Sequence, residues 1–111
     1  MIQLHQQTPI LLATQAVDFR KGIDGFVALV RDVLAQNPRN GHYFVFINRE
    51  RTRLRVLTYD GTGYWLMTKR LSQGKFIGWP RSGDVITALL AIQLRTLIVG
   101  KKLDETAYLQ A

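Results

Sequence analysis

The apolar residues of this chain change period at Pro38. Upstream, Ile23, Phe26, Val27, Leu29, Val30, Val33 and Leu34 recur at the spacing of one helical face. Gln36-Asn37-Pro38 then stops the helix, because proline cannot continue the hydrogen-bond ladder. Downstream the repeat is two. Tyr43–Ile47 is rich in aromatic and β-branched residues. In the next run Arg53, Arg55, Leu57 and Tyr59 share one strand face, and Leu54, Val56 and Thr58 the other. The polar link 48–52 has the length of a hairpin turn, and Asp60-Gly61 is a favoured turn pair before a third strand at 64–70. Ser72-Gln73-Gly74 turns the chain again, toward a short strand at 75–79. The pattern predicts a main helix over about 23–36, followed by an antiparallel meander of about four strands.

The ends complete an α+β domain. Residues 9–13 read as a buried N-terminal strand, and 84–89 as a short last strand. Leu90, Leu94, Leu97 and Ile98 fit a short C-terminal helix over about 90–99, stopped by Gly100. Residues 101–111 are expected to form a loose tail. A chain of 111 residues is a single domain, 1–111, able to bury a core without staples. The absence of cysteine excludes disulfides, a thiol nucleophile and thiolate zinc sites. No apolar run reaches the ~18 residues of a membrane span, and residues 1–7 lack a signal-peptide pattern. A cytoplasmic protein without membrane contact is expected.

The formal net charge is +7, and nearly all of it sits in one stretch. Residues 49–81 carry eight basic groups against Glu50 and Asp60. Tyr59, Tyr64, Trp65, Phe76 and Trp79 lie within the same stretch. Cations for phosphates interleaved with flat rings for bases suit a nucleic-acid surface. A solvated sheet face with its aromatics turned into the core would give the same composition.

The sharpest candidate is the series Arg49, Arg51, Arg53 and Arg55. Alternate spacing in an extended chain projects guanidinium forks, which match phosphate oxygens, from one side. If 49–52 form the turn, only Arg53 and Arg55 keep that face, and the other two fan out from the tip. The competing reading is an edge strand protected from aggregation by its charge. Lys69, Arg70 and Lys75 extend the cluster, and Arg20 with Lys21 forms a second one. In Asp18-Phe-Arg-Lys-Gly-Ile-Asp-Gly25 charges and glycines crowd a helix entrance, where Asp24 or Asp18 is expected as an N-terminal cap. Asp60-Gly-Thr-Gly63 reads as a turn, since it lacks the third glycine of a nucleotide loop. His5 and His42 have no partners of recognisable spacing. No catalytic constellation, metal site or cofactor site is expected.

Taken together, several motifs carry a family resemblance. They are Asp18–Gly25, Phe44-Val-Phe46, Arg51-x-Arg53-x-Arg55-Val-Leu57, Asp60-Gly-Thr-Gly63, Lys69-Arg-Leu71 with Gly74-Lys-Phe76, and Trp79-Pro80. In this order, over about residues 9–100, the chain resembles the small accessory proteins encoded by the second open reading frame of IS-sixty-six insertion sequences. The resemblance implies a non-enzymatic part in DNA transposition, beside the element's transposase and another accessory protein. Two departures stand out. Ile77 and Gly78 lengthen the family's Phe-to-Trp spacing by one residue, which predicts a bulge. Ile98-Val-Gly100 replaces an acidic helix end.

The resulting expectation is a non-catalytic accessory protein whose basic hairpin contacts DNA, with element ends as the expected site. The rival is a module that docks the transposase through the sheet without touching DNA. A meander with free edges can also pair with a second copy across a two-fold axis.

Overall fold

The structure, a computed structural model, describes residues 8–81 and 83–100. His5, the rest of 1–7 and the expected tail 101–111 lie outside the described residues.

Among the described residues, five strands and two helices form an α+β fold. β1 (Ile10–Ala13) leads through a loop to α1 (Ile23–Ala28), which continues as a π-helical turn, Leu29–Val33. β2 (Tyr43–Ile47), β3 (Arg53–Tyr59) and β4 (Tyr64–Arg70) follow, then β5 (Ile86–Leu89) and α2 (Ala91–Ile98). The sheet order is β4-β3-β2-β1-β5. β2, β3 and β4 pair as the expected antiparallel meander, with Phe44 opposite Leu57 and Arg55 opposite Thr68. β1 lies parallel to β2, because α1 carries the chain back across the sheet before β2 begins. β5 closes the far side antiparallel to β1, with Leu89 opposite Ile10.

Strand alternation divides the core in two. One face sends Phe44, Phe46, Leu57 and Ala13 against Phe26, Val30 and Leu34 of the α1 segment. The other sends Ile10, Leu12, Val45, Ile47, Leu54 and Val56 against Leu94 and Leu97 of α2, with Phe76 and Trp79. The sheet thus lies between two helical layers.

Three expectations are corrected. Residues 75–79 are not a strand, so the meander has three strands, and no bulge arises at Ile77-Gly78. Gly74 and Gly78 both take positive φ, which breaks an extended run, and the segment instead drops Phe76 and Trp79 into the core. Trp79 Nε1 donates to the Ala13 carbonyl at 3.0 Å, fixing the plug to β1. The main helix stops at Val33 rather than near residue 36. Leu34 N donates to Leu29 O, the wider π spacing, and Ala35 turns left-handed with φ 54°. Neither Asp24 nor Asp18 caps α1. Gly22 occupies that position without a side-chain hydrogen bond, and Asp18 is committed to Arg20.

Candidate nucleic-acid interface

The sheet topology gathers the basic residues at one end. Because β1 and β2 are parallel, the loops that leave them emerge together, beside the start of β3 and the end of β4. Arg20 and Lys21 come from the first loop, Arg49 and Arg51 from the second, and Arg53 and Arg70 from the strand ends.

The β2–β3 tip is built by Asn48. Its Oδ1 accepts from Thr52 N at 2.9 Å and Arg53 N at 3.0 Å, while Nδ2 donates to Thr52 Oγ1 at 3.1 Å. Arg51 N donates to Asn48 O, and Arg51 takes φ 61°, a conformation that hairpin loops usually give to glycine. The Arg51 carbonyl then accepts from Phe76 N at 2.7 Å. This bond brings the exposed Lys75 beside the tip.

Arg55 does something different from its neighbours. Its Nη1 donates to the carbonyls of Phe19 at 2.8 Å and Lys21 at 3.1 Å, and its Nε to Thr68 Oγ1 at 2.8 Å. The guanidinium also lies over the rings of Phe19 at 4.8 Å and Phe26 at 5.3 Å. Burial lowers its pKa from the ordinary value, and the Arg53 charge adds to the effect. Arg55 therefore straps the 18–22 loop onto the sheet and is spent on that contact. Gly25 lets the same loop lie against the helix, since a Cβ there would sit 2.6 Å from Lys21 Cβ.

Arg53 and Arg70 stand directly opposite each other at the edge of the α1 face, both exposed. Like charges so placed repel. Together with Arg49, they form no ion pair among the described residues. Arg49 and Arg53 line a cleft of about 370 Å³ with Val17, Asp18, Arg20, Asn48 and Glu50. Inside it Arg20 grips Asp18 through a 2.8 Å Nη2–Oδ2 contact. Those hydrogen bonds hold the Asp18 carboxyl well below the ordinary carboxylate range, with the Arg49 charge contributing. Asp18 thus offsets Arg20 and leaves Arg49, Arg53 and Arg70 among the open cations of this end.

The remaining candidate turns away. Lys69 lies on the opposite face, where its Nζ donates to the Ile98 carbonyl at 2.6 Å and complements the C-terminus of α2. Among the described residues no three His, Asp or Glu gather to hold a metal, and no helix is long and apolar enough to cross a membrane.

The family model described as IS66 Orf2 like protein matches residues 8–107. The chain belongs to that family. Membership of the IS66 Orf2-like family points to an accessory role in insertion-sequence transposition. The chain is 50% identical over 68 residues to the uncharacterized protein y4jC of Sinorhizobium fredii, covering 61% of this chain and 58% of that protein. It is 36% identical over 100 residues to the uncharacterized protein y4hO of the same organism, covering 90% of this chain and 86% of the relative. No solved structure matches.

Two residues that shape this IS66 Orf2-like surface escaped the sequence reading. Asn48 reads as one residue of the polar link 48–52, although an Asn at a strand end followed by a turn is a signal for a side-chain-braced loop. Phe19 gave no signal, because its contact with Arg55 spans 36 positions.

Proposed function

We propose that this IS66 Orf2-like chain is a non-catalytic accessory protein of transposition that contacts DNA phosphates through the basic end of its sheet. The observation that carries the reading is the pair Arg53 and Arg70, two exposed guanidinium groups opposed across β3 and β4 with no carboxylate bonded to either among the described residues. Such a pair repels itself in the free protein and is relieved by an anion between the two groups. Arg49 and the strained Arg51 flank the pair, and Lys75 stands beside the tip. Lys21 adds charge at the first loop. Arg55 acts indirectly, by fixing the loop that carries Arg20 and Lys21. Guanidinium contacts to phosphate position a protein on DNA without reading its sequence. Preference for element ends would then come from DNA shape or from the transposase.

Replacing Arg49, Arg53 and Arg70 together with alanine is expected to weaken duplex binding at least tenfold. All three side chains are exposed, so the circular dichroism spectrum and urea midpoint should stay close to wild type. Unchanged affinity in the folded variant would remove the basic end as the contact surface. Capture of the transposase that survives nuclease and high salt, together with absent DNA binding, would favour the docking role.

A further inference from the structure

We infer that two copies of this chain pair through the edge of β4, which no strand covers among the described residues, antiparallel, about a two-fold axis at Met67. β4 is a terminal strand of the sheet and has seven residues, whereas β5 at the other edge has four. The hydrogen-bond phase of β4 is set by its flanks. Asp60 N donates to Gly63 O, and Leu71 N to Thr52 O. Counting from those pairs in the antiparallel register, Trp65, Met67 and Lys69 turn their backbone groups toward β3. Tyr64, Leu66, Thr68 and Arg70 turn theirs outward.

A two-fold axis at Met67 uses those outward groups in full. It sets Tyr64 opposite Arg70 of the second copy and Leu66 opposite Thr68, both as hydrogen-bonded pairs. Trp65 falls opposite Lys69, and Met67 opposite itself, as the non-hydrogen-bonded pairs in which side chains come closest. The Arg70 guanidinium of one strand therefore meets the Tyr64 ring of the other, and Lys69, whose Nζ stays on the Ile98 carbonyl, lays its aliphatic stem beside Trp65. Moving the axis to Thr68 sets Lys69 against Met67 and strands Trp65 beyond the partner strand. Moving it to Leu66 leaves Lys69 and Arg70 without a ring. Only the Met67 axis pairs all seven residues.

The rings are already set for this contact. Trp65 is 57% exposed, yet its Nε1 is held by Asp60 Oδ2 at 2.8 Å. Tyr64 packs edge-on against Tyr59 at 4.9 Å, and Tyr59 in turn lies beneath Arg39 at 5.2 Å. Immobilised rings lose little further freedom on association. The paired sheet would be continuous, with both α1 helices on one face. The two Arg70 residues would stand six positions apart along the pairing, about 20 Å.

The chain has no cysteine, which makes the register directly readable. In the Met67→Cys variant of the full chain, the two introduced residues face each other at about 4.5 Å between Cα atoms, within disulfide reach. Mild oxidation should then give a covalent dimer on a non-reducing gel. Trp65→Cys and Lys69→Cys alone should not cross-link, and the two combined should. Sedimentation equilibrium of the unmodified protein should return twice the 12.7 kDa chain mass. Trp65→Lys, which opposes two lysines, should return the single mass, whereas Trp65→Glu should keep the dimer. A monomeric wild type at 100 μM, a dimer in which Met67→Cys fails to cross-link, or equal behaviour of Trp65→Lys and Trp65→Glu would each overturn the pairing.

Discussion

Arg55 donates a 2.8 Å hydrogen bond to the Phe19 carbonyl and covers the Phe19 ring at 4.8 Å. One side chain in mid-strand thereby fixes the loop between β1 and α1. Arg55→Ala leaves two loop carbonyls without their donor and strips the cation from two rings. Hydrogen bonds from charged groups are worth about 1.5–3 kcal/mol each, and water can replace part of them at this half-buried site, so a net loss of about 2–3 kcal/mol in urea unfolding is expected. Arg55→Lys should recover only part of it, since one ammonium cannot reach Thr68 and both carbonyls in the same fork geometry. A change below 0.5 kcal/mol, the range of ordinary surface substitutions, would contradict the strap.

That contact also marks where sequence reasoning stops. Alternation through 53–59 places Arg53 and Arg55 on one face correctly, because period two is a local property of the chain. It cannot tell that Phe19 and Lys21 will come to lie on Arg55 and leave Arg53 bare. The helices and β2 to β4 were legible for the same local reason. The parallel pairing of Ile10 with Tyr43, and the return of Leu89 to Ile10, depend on long-range closure. The segment 75–79 misled because Phe76 and Trp79 resemble strand residues in type. Their burial beneath α2 depends on the turns at Gly74 and Gly78.

Ala35 and Arg51 share a left-handed backbone, with φ of 54° and 61°. An L side chain costs about 1 kcal/mol there relative to glycine. Ala35→Gly should raise stability by about 0.5–1 kcal/mol in a urea titration and leave DNA affinity unchanged. Arg51→Gly should stabilise the protein by a similar amount but weaken DNA binding. The same strain would then be incidental at one site and maintained for binding at the other. Loss of stability in Ala35→Gly would contradict the backbone assignment.

Arg70→Glu separates stability from binding. It converts the repelling pair with Arg53 into an attractive one, so the unfolding midpoint should rise by the equivalent of about 0.2–1 kcal/mol. Affinity for duplex DNA should fall several-fold in the same protein. A parallel fall in both quantities in the monomeric Trp65→Lys background, where the β4 pairing is absent, would show that Arg70 serves the fold instead.

Asp60 predicts the acid limb of stability. Its carboxyl accepts from Thr62 N, Trp65 Nε1 and Thr62 Oγ1, with a further bond from Gly63 N, and these hold its pKa well below the ordinary range. A depressed carboxylate contributes stability in full above its unfolded pKa of about 3.9 and loses it as the pH falls below that value. Urea midpoints should therefore drop between pH 5 and pH 2, and Asp60→Asn should drop less over that interval. Equal slopes would place the acid sensitivity elsewhere. Asp18, whose carboxyl Arg20 also depresses, is the next group to replace.

The central claim is that the basic end of the sheet meets phosphate. Fluorescence anisotropy of the purified chain on labelled duplexes, with element-end and random sequences, titrated with salt, tests it most directly. Three to four phosphate contacts predict a log–log slope of about −2.7 to −3.6, and loss of Arg49, Arg53 and Arg70 should remove about 2.7 of it. Absence of binding at low salt, or a slope that survives the triple replacement, would contradict the account.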